Sequence, residues 1–400
     1  MAAPLAGIRV VEVANWLAAP SAAAMMRDLG ADVIKVEPPD GDAYRGVLQG
    51  LELDHNYPFE LDNRGKRSIA LALDKPGASE LVRRLAGTAD IFITNLVQPR
   101  RQRFGLTDAD LRAAFPGLIY VSFSGYGSEG PDAARAGFDY TAFWARSGIW
   151  ALMGDASGPP ALSRSGQGDH TTAMNLLAAT LVALRLKEQT GEGQTVEVTL
   201  QRTGLWTIGA DVSQALVTKQ QLDRFDRREM RNPLAGSYET RDGRWLLLMM
   251  PASDNYWAPF CRMVGREEWI EDPQYADVLA RRDHGVELSP LVQEIFLTDD
   301  LAGWRERLDT AGLIWGPGAE LPEVVEDPQL RVMGAFETIE HPDPAVGSFE
   351  TLATPFRITD ADIAVRGPAP EIGQHTYEVL EELGVTTDEV AELALAGVLG

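Results

Sequence analysis

The sequence has little of what several classes of protein require. One cysteine, Cys261, leaves no pair for an internal disulfide, fits a reducing compartment, and lies in an apolar stretch that predicts a core position. The formal net charge of −23 opposes binding to nucleic acids or anionic membranes, because both are polyanions. No stretch reaches the roughly 18 uninterrupted apolar residues of a membrane span, and no secretion signal opens the chain. We therefore expect a soluble, cytosolic protein that binds neither nucleic acid nor membrane.

The N-terminal segment predicts a parallel sheet. Residues 8–13 are an apolar, β-branched run typical of a buried strand, a small-residue helix extends to about Leu29, and 33–36 is a second strand. This strand–helix–strand order is the beginning of a doubly wound domain. The turn at 14–19 holds no glycine where a pyrophosphate would approach the backbone, so the sequence opposes a nicotinamide-dependent dehydrogenase.

Residues that follow neighbouring strands should meet at one edge of that sheet. Further strands are predicted at 68–73, 90–94, 119–124 and 195–200, with helices at 77–85 and from about Thr171. Ligands bind beyond the carboxyl ends of parallel strands. We therefore expect Trp16, Leu17, Asn95 and the arginines that follow Asn95 on one rim.

Two basic clusters and one aromatic segment each allow two interpretations. Arg100, Arg101 and Arg103 form either a solvated cluster or a site for phosphate groups, and the same holds for Lys66-Arg67. The aromatic side chains of 137–148 are either core or the walls of an acyl pocket.

Composition divides the chain into a large and a small domain. Residues 1–218 carry the α/β pattern, and the densely charged stretch 219–230 predicts a linker. Residues 231–335 predict a small α+β domain, which begins with a hairpin around Asp242-Gly243.

The last part of the chain is expected to return to the large domain, over 336–400. Strand character reappears at 349–358. Acidic helices at 376–383 and 387–395 are expected to pack back on the first domain.

The stretch Gly166-Gln167-Gly168-Asp169-His170 precedes an apolar helical run. Unpaired N–H groups at the start of a helix favour negative charge, so an ionised Asp169 is expected at pH 7. The local pattern leaves two interpretations open. Asp169 either caps the helix by accepting the N–H of Thr171 or Thr172, or is a nucleophile approached by an acyl group across the glycines.

Several motifs taken together resemble the class III CoA-transferases, a family that includes formyl-CoA transferase, carnitine CoA-transferase and α-methylacyl-CoA racemase. The motifs are 5–12, 29–37, Gly41-Asp42 with Arg45-Gly46, Asn63 with 66–69, 124–127, 166–169 and 190–194. The resemblance implies a Rossmann-like large domain built from both chain ends, a smaller α+β middle domain, and an interlocked homodimer.

The resemblance also implies roles for individual residues. Asp169 corresponds to the family's nucleophile. The resemblance also implies that the protein binds and transfers coenzyme A and uses no metal. The implied coenzyme A contacts are Trp16, Leu17 and Ala18 at the adenosine part, Leu71, Asn95, Leu96 and Arg103 further along, and Tyr140 near the thioester.

The chemistry implied is transfer of coenzyme A from an acyl-CoA to a free carboxylic acid through an aspartyl anhydride and an aspartyl thioester. The glycine-rich loop 125–130 is a candidate lid, backbone N–H groups of 168–170 are candidate oxyanion donors, and a role for His170 stays open.

Two departures from the family bear on the substrate. Phe138 stands where the racemase branch needs a histidine base, which disfavours the alternative of an acyl-CoA racemase or isomerase. Residues 231–237 lack the glycine run that covers the site in formyl-CoA transferase. The 138–146 pattern resembles branches that act on 2-hydroxy, aryl or branched acids, while a non-catalytic CoA-binding protein remains a third alternative. Donor and acceptor are not identified by the sequence.

Overall fold

The chain forms two compact units. This computed structural model describes residues 1–47 and 55–400. The first unit comprises Met1–Trp150, Ser163–Thr218 and Pro328–Gly400, and the second comprises Ala151–Leu162 and Lys219–Asp327. The first unit therefore draws on both ends of the chain. The domain limits and the linker expected from the sequence stay predictions.

A six-stranded parallel sheet lies at the centre of the first unit. Its strands are β1 (Arg9–Val13), β2 (Asp32–Glu37), β3 (Arg67–Ala70), β4 (Ile91–Thr94), β5 (Ile119–Ser124) and β6 (Thr195–Thr199). They lie in the order β3-β2-β1-β4-β5-β6, and every neighbouring pair is parallel. In sheets of this order, ligands bind where the strand order reverses, which here is between β1 and β4. The predicted mixed α/β fold is confirmed.

The central strands are buried on both faces, as apolar, β-branched strands of parallel sheets are. All four residues of β4 are buried, and Val11 in β1 pairs with Ile34 on one side and Phe92 on the other. The predicted strand 68–73 was too long. It ends at Ala70, and Leu71 forms an isolated bridge with Leu399 instead.

Helices surround the sheet and make up much of the second unit. In chain order they are α1 (Ala18–Asp28), α2 (Tyr57–Asn63), α3 (Ala78–Ala86), α4 (Gln98–Phe104), α5 (Asp108–Ala114), α6 (Ile149–Leu152), α7 (Gln167–Thr190), α8 (Leu200–Thr207), α9 (Gly209–Thr218), α10 (Asp254–Met263), α11 (Val278–Asp283), α12 (Gly285–Phe296), α13 (Leu301–Thr310), α14 (Leu321–Val325), α15 (Pro328–Val332), α16 (Thr376–Glu382) and α17 (Thr387–Leu395). A π-helical turn covers Asp139–Ala145, and short 3-10 turns cover Ala43–Gly46, Arg227–Glu229 and Glu267–Trp269. Among the described helices, none has both the length and the apolar composition needed to cross a bilayer.

Helix α7 begins earlier than predicted and thereby determines where Asp169 lies. It starts at Gln167, after Gly166, whose φ of 80° is a left-handed conformation that glycine adopts without strain. It ends at Gly191, with φ 76°, a common helix terminator. Asp169 is therefore the third residue of the helix rather than the residue before it.

The C-terminal segment packs against the sheet of the first unit. Val379, Leu380 and Val398 join the same core as Leu81 of α3, and the N–H of Ala72 donates to the carbonyl oxygen of Val398 at 2.8 Å. Residues of α16 therefore share a core with α3 in the first unit. Strands β10 (Phe336–Glu340) and β11 (Ser348–Leu352) form a separate antiparallel pair, so the strand predicted at 349–358 was too long.

The second unit has its own aromatic core. Its three-stranded antiparallel sheet consists of β7 (Ser237–Glu239), β8 (Trp245–Leu248) and β9 (Trp315–Pro317), and the β7–β8 pair confirms the predicted hairpin. Cys261 is fully buried in this core beside Trp304 and Leu308, as predicted.

Candidate active site

The loop after β1 is braced by the loop after β4. The side-chain amide of Asn95 donates to the carbonyl oxygen of Asn15 at 2.7 Å and accepts the N–H of Asn15 at 3.1 Å. The two loops therefore meet at the carboxyl edge of the sheet, as the topology predicted. Because the backbone of Asn15 occupies both polar atoms of the Asn95 amide, Asn95 acts here as a brace for the loop that carries Trp16.

Trp16 has an unusual backbone conformation. Its φ of 72° lies in the left-handed region, which residues other than glycine adopt only when their surroundings require it. Its N–H donates to Oδ1 of Asp42 at 3.1 Å, and its ring packs edge to face on Phe138 with centroids 5.5 Å apart. Asp42 and Phe138 therefore hold Trp16 at the rim.

Asp42 belongs to a network of four buried charges behind the β1 loop. The Nζ atom of Lys35 lies 2.8 Å from Asp42 and 2.9 Å from Glu12, and Nζ of Lys66 lies 2.7 Å from the other oxygen of Glu12. Burial alone would lower the pKa of Lys35, but Glu12 and Asp42 raise it above its ordinary value. Burial lowers the pKa of Lys66 to about 8. We call Glu12, Lys35, Asp42 and Lys66 the loop network.

Neither interpretation of Lys66-Arg67 was correct. Lys66 is buried and also donates to the carbonyl oxygen of Pro20 at 2.8 Å. Arg67 pairs with Asp32 and with Glu382 at 2.6 Å each. Both side chains are therefore occupied by partners within the fold. Together they form neither a solvated cluster nor a phosphate site.

The arginines of α4 point in different directions. Arg101 is buried and donates to Oγ of Ser122 at 2.8 Å. Arg103 is exposed and pairs with Asp74 at 3.1 Å. Arg100 lines two of the cavities described below. Of these three, Arg100 is therefore the one placed to meet a ligand.

Asp169 is partly buried near the N-terminus of α7, and two expectations about it were wrong. It does not cap the helix, because the helix begins two residues before it. Its carboxylate is also not fully ionised at pH 7. Burial, reinforced by the charge of Asp139, raises the pKa of Asp169 to about 7, and these effects exceed the favourable field of the helix N-terminus.

A second carboxylate, that of Asp139, lies over the start of the same helix. A Cβ atom on Gly168 would lie 2.3 Å from Oδ1 of Asp139 and 2.4 Å from Cγ of Phe143, so only glycine fits there. Burial raises the pKa of Asp139, and the N–H groups of Gly166 and Gly168 oppose this rise. The N–H of His170 donates to the carbonyl oxygen of Gly166 at 2.9 Å. One of the three predicted oxyanion donors, the N–H of His170, is therefore already engaged.

His170 is bonded to a third acid, Asp62 of α2. Its Nε2 lies 3.0 Å from Oδ1 of Asp62, whose side chain is fully buried. The hydrogen bond to Asp62 raises the pKa of His170. Burial and the charges of Asp62 and Asp169 raise the pKa of Tyr44, so its phenol stays neutral.

Three adjoining cavities in the first unit lead along the carboxyl edge of the sheet to Asp169. The cavity that contains Asp169 has a volume of about 260 Å³, and it shares Trp16, Asn95 and Phe138 with a middle cavity of about 200 Å³. The middle cavity shares Leu96 and Arg100 with a third, of about 230 Å³, at the ends of β1 to β3. An elongated ligand could therefore lie along the edge with one end at Asp169.

The sequence-predicted ligand contacts divide between the two ends of these cavities. Trp16, Leu17, Ala18 and Tyr140 line the cavity of Asp169, whereas Leu71 and Leu96 line the cavity at the strand ends. Trp16, Leu17 and Ala18 therefore lie at the nucleophile end, and their assignment to the adenosine part stays a prediction.

The aromatic segment serves both of the purposes considered for it. Phe143 and Trp144 are buried, while Phe138 and Tyr140 are about half exposed and line the cavity of Asp169.

Sequence reasoning missed Asp62 and Tyr44 at this site, and it named Asp42 only within a family motif. The three residues lie more than 100 positions before Asp169. Asp139 was noticed only as part of a family pattern, and the glycine at 168 was the one local sign that a side chain approaches there.

One group of residues has the composition of a metal site. His55, Glu60 and His341 bring their ligand atoms within 4.8 Å of one another, and Oε1 of Glu60 lies 2.8 Å from Nε2 of His55. However, Nδ1 of His341 accepts the N–H of Asp343 at 3.1 Å, so the ring proton of a neutral His341 is on Nε2. A metal ligand needs that nitrogen bare. The group therefore fits hydrogen bonds around one buried carboxylate better than a metal site.

The chain is similar to known proteins in both sequence and fold. Residues 5–376 match the model of CoA-transferase family III. The chain is 31% identical over 390 residues to (R)-2-hydroxy-4-methylpentanoate CoA-transferase of Clostridioides difficile, covering 96% of this chain and 97% of that protein. It is 33% identical over 402 residues to succinate–glutarate CoA-transferase of Agrobacterium fabrum, covering 95% and 96%.

A solved structure shares the fold over almost the whole chain. The crystal structure of a CAIB/BAIF family protein from Brucella suis superposes with a TM-score of 0.84 at 28% sequence identity, covering 96% of this chain and 100% of that one.

Proposed function

Because the chain belongs to CoA-transferase family III, as its motifs predicted, we propose that it moves coenzyme A from an acyl-CoA thioester to a free carboxylic acid through covalent intermediates on Asp169. The observation that carries this proposal is the position of Asp169 at one end of three adjoining cavities. A long thioester could occupy those cavities with its reactive carbon beside the carboxylate.

The proposed reaction consists of two exchanges and their reversal. The Asp169 carboxylate attacks the thioester carbonyl, so that the C–S bond breaks and an aspartyl anhydride and the CoA thiolate form. The thiolate then attacks the aspartyl carbonyl, which releases the donor acid and leaves an aspartyl-CoA thioester. An acceptor carboxylate reverses both steps. Each step replaces one activated acyl bond by another, so no ATP or metal is required.

The surroundings of Asp169 suit such a nucleophile. Burial and Asp139 raise its pKa to about 7, so a large fraction is ionised at neutral pH while the anion has lost much of its hydration. The edge-to-face pair of Trp16 and Phe138 lines the same cavity. These rings favour exclusion of water, which would otherwise hydrolyse the anhydride.

The cavities also suggest how coenzyme A would lie. Its nucleotide end would lie at the ends of β1 to β3, where Leu71 and Leu96 offer apolar surface and Arg100 offers a cation for phosphate. The pantetheine arm would follow the middle cavity past Asn95. Trp16, Leu17, Ala18 and Tyr140 would then contact the thioester and acyl group. Arg103 is less suited to bind phosphate, because Asp74 already pairs with it.

The aromatic lining of the nucleophile cavity favours an acid with an apolar side chain. One relative is named for a branched 2-hydroxy acid, which agrees with the substrate class predicted from 138–146. Phe138 carries no group that could move a proton, so racemisation is not supported.

We also propose a homodimer, interlocked as in the family. Support comes from apolar side chains left in water around α8 and α9, including Trp206 at 82% and Val217 at 84% exposure. Such side chains mark an interface when they cluster. Sedimentation at micromolar concentration tests it, and a monomer would contradict it.

A panel of acyl-CoA donors and carboxylic acids, read by mass spectrometry, tests the transfer. We expect exchange of coenzyme A with the wild-type protein, a hydroxamate at Asp169 after hydroxylamine treatment, and loss of transfer by at least about 1,000-fold in Asp169→Ala. Asp108→Asn, a first-turn acid of α5, is the matched control and should retain activity. Transfer that survives in Asp169→Ala would rule the mechanism out.

A further inference from the structure

Asp62 is a buried acid whose carboxylate has one cation, His170, within hydrogen-bond distance among the described residues. Its side chain is fully buried, Oδ1 lies 3.0 Å from Nε2 of His170, and Oδ2 has no hydrogen-bond partner among the described residues. A buried carboxylate is costly unless a cation compensates it. His170 therefore supplies the compensating charge in direct contact with the Asp62 carboxylate, and the buried Lys66 also interacts with that carboxylate.

His170 is held at a defined place on α7. It follows Asp169 directly, and the hydrogen bond to Asp62 of α2 raises the pKa of His170, which favours the doubly protonated ring. The acids that act on the imidazolium are Asp62, Asp169 and Asp139. The cation thus lies among three carboxyl groups from three separate elements.

His170 opposes the other charges that act on Asp169. Among the described residues these charges are Asp139, His170 and Asp62, and only His170 favours the ionised form of Asp169. Tyr44 also faces the site, as a neutral phenol.

We propose that Asp62 and His170 form a positioning pair in which the buried carboxylate holds the imidazole, as an imidazolium, beside Asp169 and so increases the ionised fraction of the nucleophile at neutral pH. This inference rests on the proposed role of Asp169. His170 is a positioning residue, since it acts through Asp169.

The pair also suits the later steps of the reaction. Asp169 alternates between a charged carboxylate and an uncharged acyl derivative. A lone cation beside it would lose its partner each time the anhydride or thioester forms, at a cost in a partly buried site. Asp62 balances His170 throughout, so the environment of the nucleophile stays the same during turnover.

Infrared spectroscopy of the full-length protein tests the pair without any substrate. The pH at which the protonated carboxyl band of Asp169 is half lost is measured by subtracting spectra of Asp169→Asn. In His170→Gln we expect this midpoint to rise by about one pH unit, because the cation is gone and Asp62 remains. Thr171→Ala, which removes a hydroxyl bonded to the Gln167 carbonyl in the same turn, is the control and should leave the midpoint unchanged.

Three further variants give a pattern of midpoints that a merely structural role would not give. Asp62→Asn removes both the support of the imidazolium and an opposing negative charge, so we expect a smaller rise than in His170→Gln. The double variant should match Asp62→Asn, and His170→Lys should restore the wild-type midpoint. Circular dichroism shows whether the variants at the buried position 62 fold.

An unchanged midpoint in His170→Gln would overturn the inference, as would a double variant with a larger rise than His170→Gln. The outcome is separable from that of the proposed function. If Asp169→Asn retained transfer, the nucleophile assignment would fail, whereas the midpoints would still report on the pair.

Discussion

The loop network and the acids around Asp169 are both withdrawn from water, but only the loop network is balanced. Lys35 and Lys66 face Glu12 and Asp42 at 2.7 to 2.9 Å. Around Asp169, Asp139 and Asp62, the one cation that acts on the nucleophile among the described residues is His170. Paired buried charges hold a loop in one conformation. An excess of negative charge instead raises the pKa of a carboxylate towards neutral pH, where a reactive group can gain or lose its proton.

The largest effect in this comparison is expected from Lys35→Met. The change leaves Asp42 and one oxygen of Glu12 buried without their cation, so we expect a loss of about 3–5 kcal/mol in the free energy of unfolding by urea. Lys187→Met is the control, because its pair with Asp90 is partly exposed and contributes less than about 1 kcal/mol.

The pH dependence of that loss sharpens the test. The pKa of Lys35 is raised, so its contribution is complete below its ordinary value and is lost only as pH rises through the higher folded value. The loss should therefore be constant across neutral pH. A loss as small as that of Lys187→Met would contradict the view that the network holds the loop.

Gly168→Ala should have the next largest effect. The new methyl would meet the Asp139 carboxylate and the Phe143 ring, and such overpacking costs about 1–3 kcal/mol. Gly209→Ala in α9 is the matched change, with nothing within 4 Å of the added atom, and should be neutral or stabilising by up to about 1 kcal/mol. Equal thermal midpoints for the two variants would show that Asp139 does not lie over Gly168.

Asp169→Asn should stabilise the fold, by a smaller amount. The folded-state pKa of Asp169 is about 7, so the folded protein holds a proton that the unfolded chain releases above about pH 4. The free energy of unfolding of the wild-type protein therefore falls as pH rises from about 4 to 7. The uncharged amide side chain in the variant avoids this loss. We expect a gain of roughly 1–2 kcal/mol at pH 8, reduced by partial exposure, and none below pH 4. Urea unfolding at both pH values measures it, and an equal gain at both would contradict the ionisation argument.

The ends of a strand were predictable from the sequence where burial of the strand itself determines them. Strand β5 was predicted with its observed ends, and β1 within one residue, because a parallel strand buried on both faces needs an uninterrupted apolar, β-branched run. β3 was overextended, because its end is determined by Leu399, which approaches from the other end of the chain.

The site was predictable only in part, for a related reason. Motifs identified Asp169, but its ionisation depends on Asp139 and Asp62, which the fold brings from segments 30 and 107 residues earlier. Lys66 and Arg67 were misinterpreted in the same way. Consecutive cations on a turn look solvated in a sequence, and their partners Glu12 and Glu382 are visible only after folding.

The packing of the C-terminal segment against β3 has a consequence for synthesis of the protein. Ala70 and Ala72 hydrogen-bond to Gly400 and Val398, respectively. During synthesis, residues 67–72 leave the ribosome long before residues 398–400 do. Until then the outer edge of the parallel sheet stays open to other chains, while the second unit can already close its own core. A chain without residues 398–400 would therefore lack both of these hydrogen bonds and leave the β3 edge exposed to other strands.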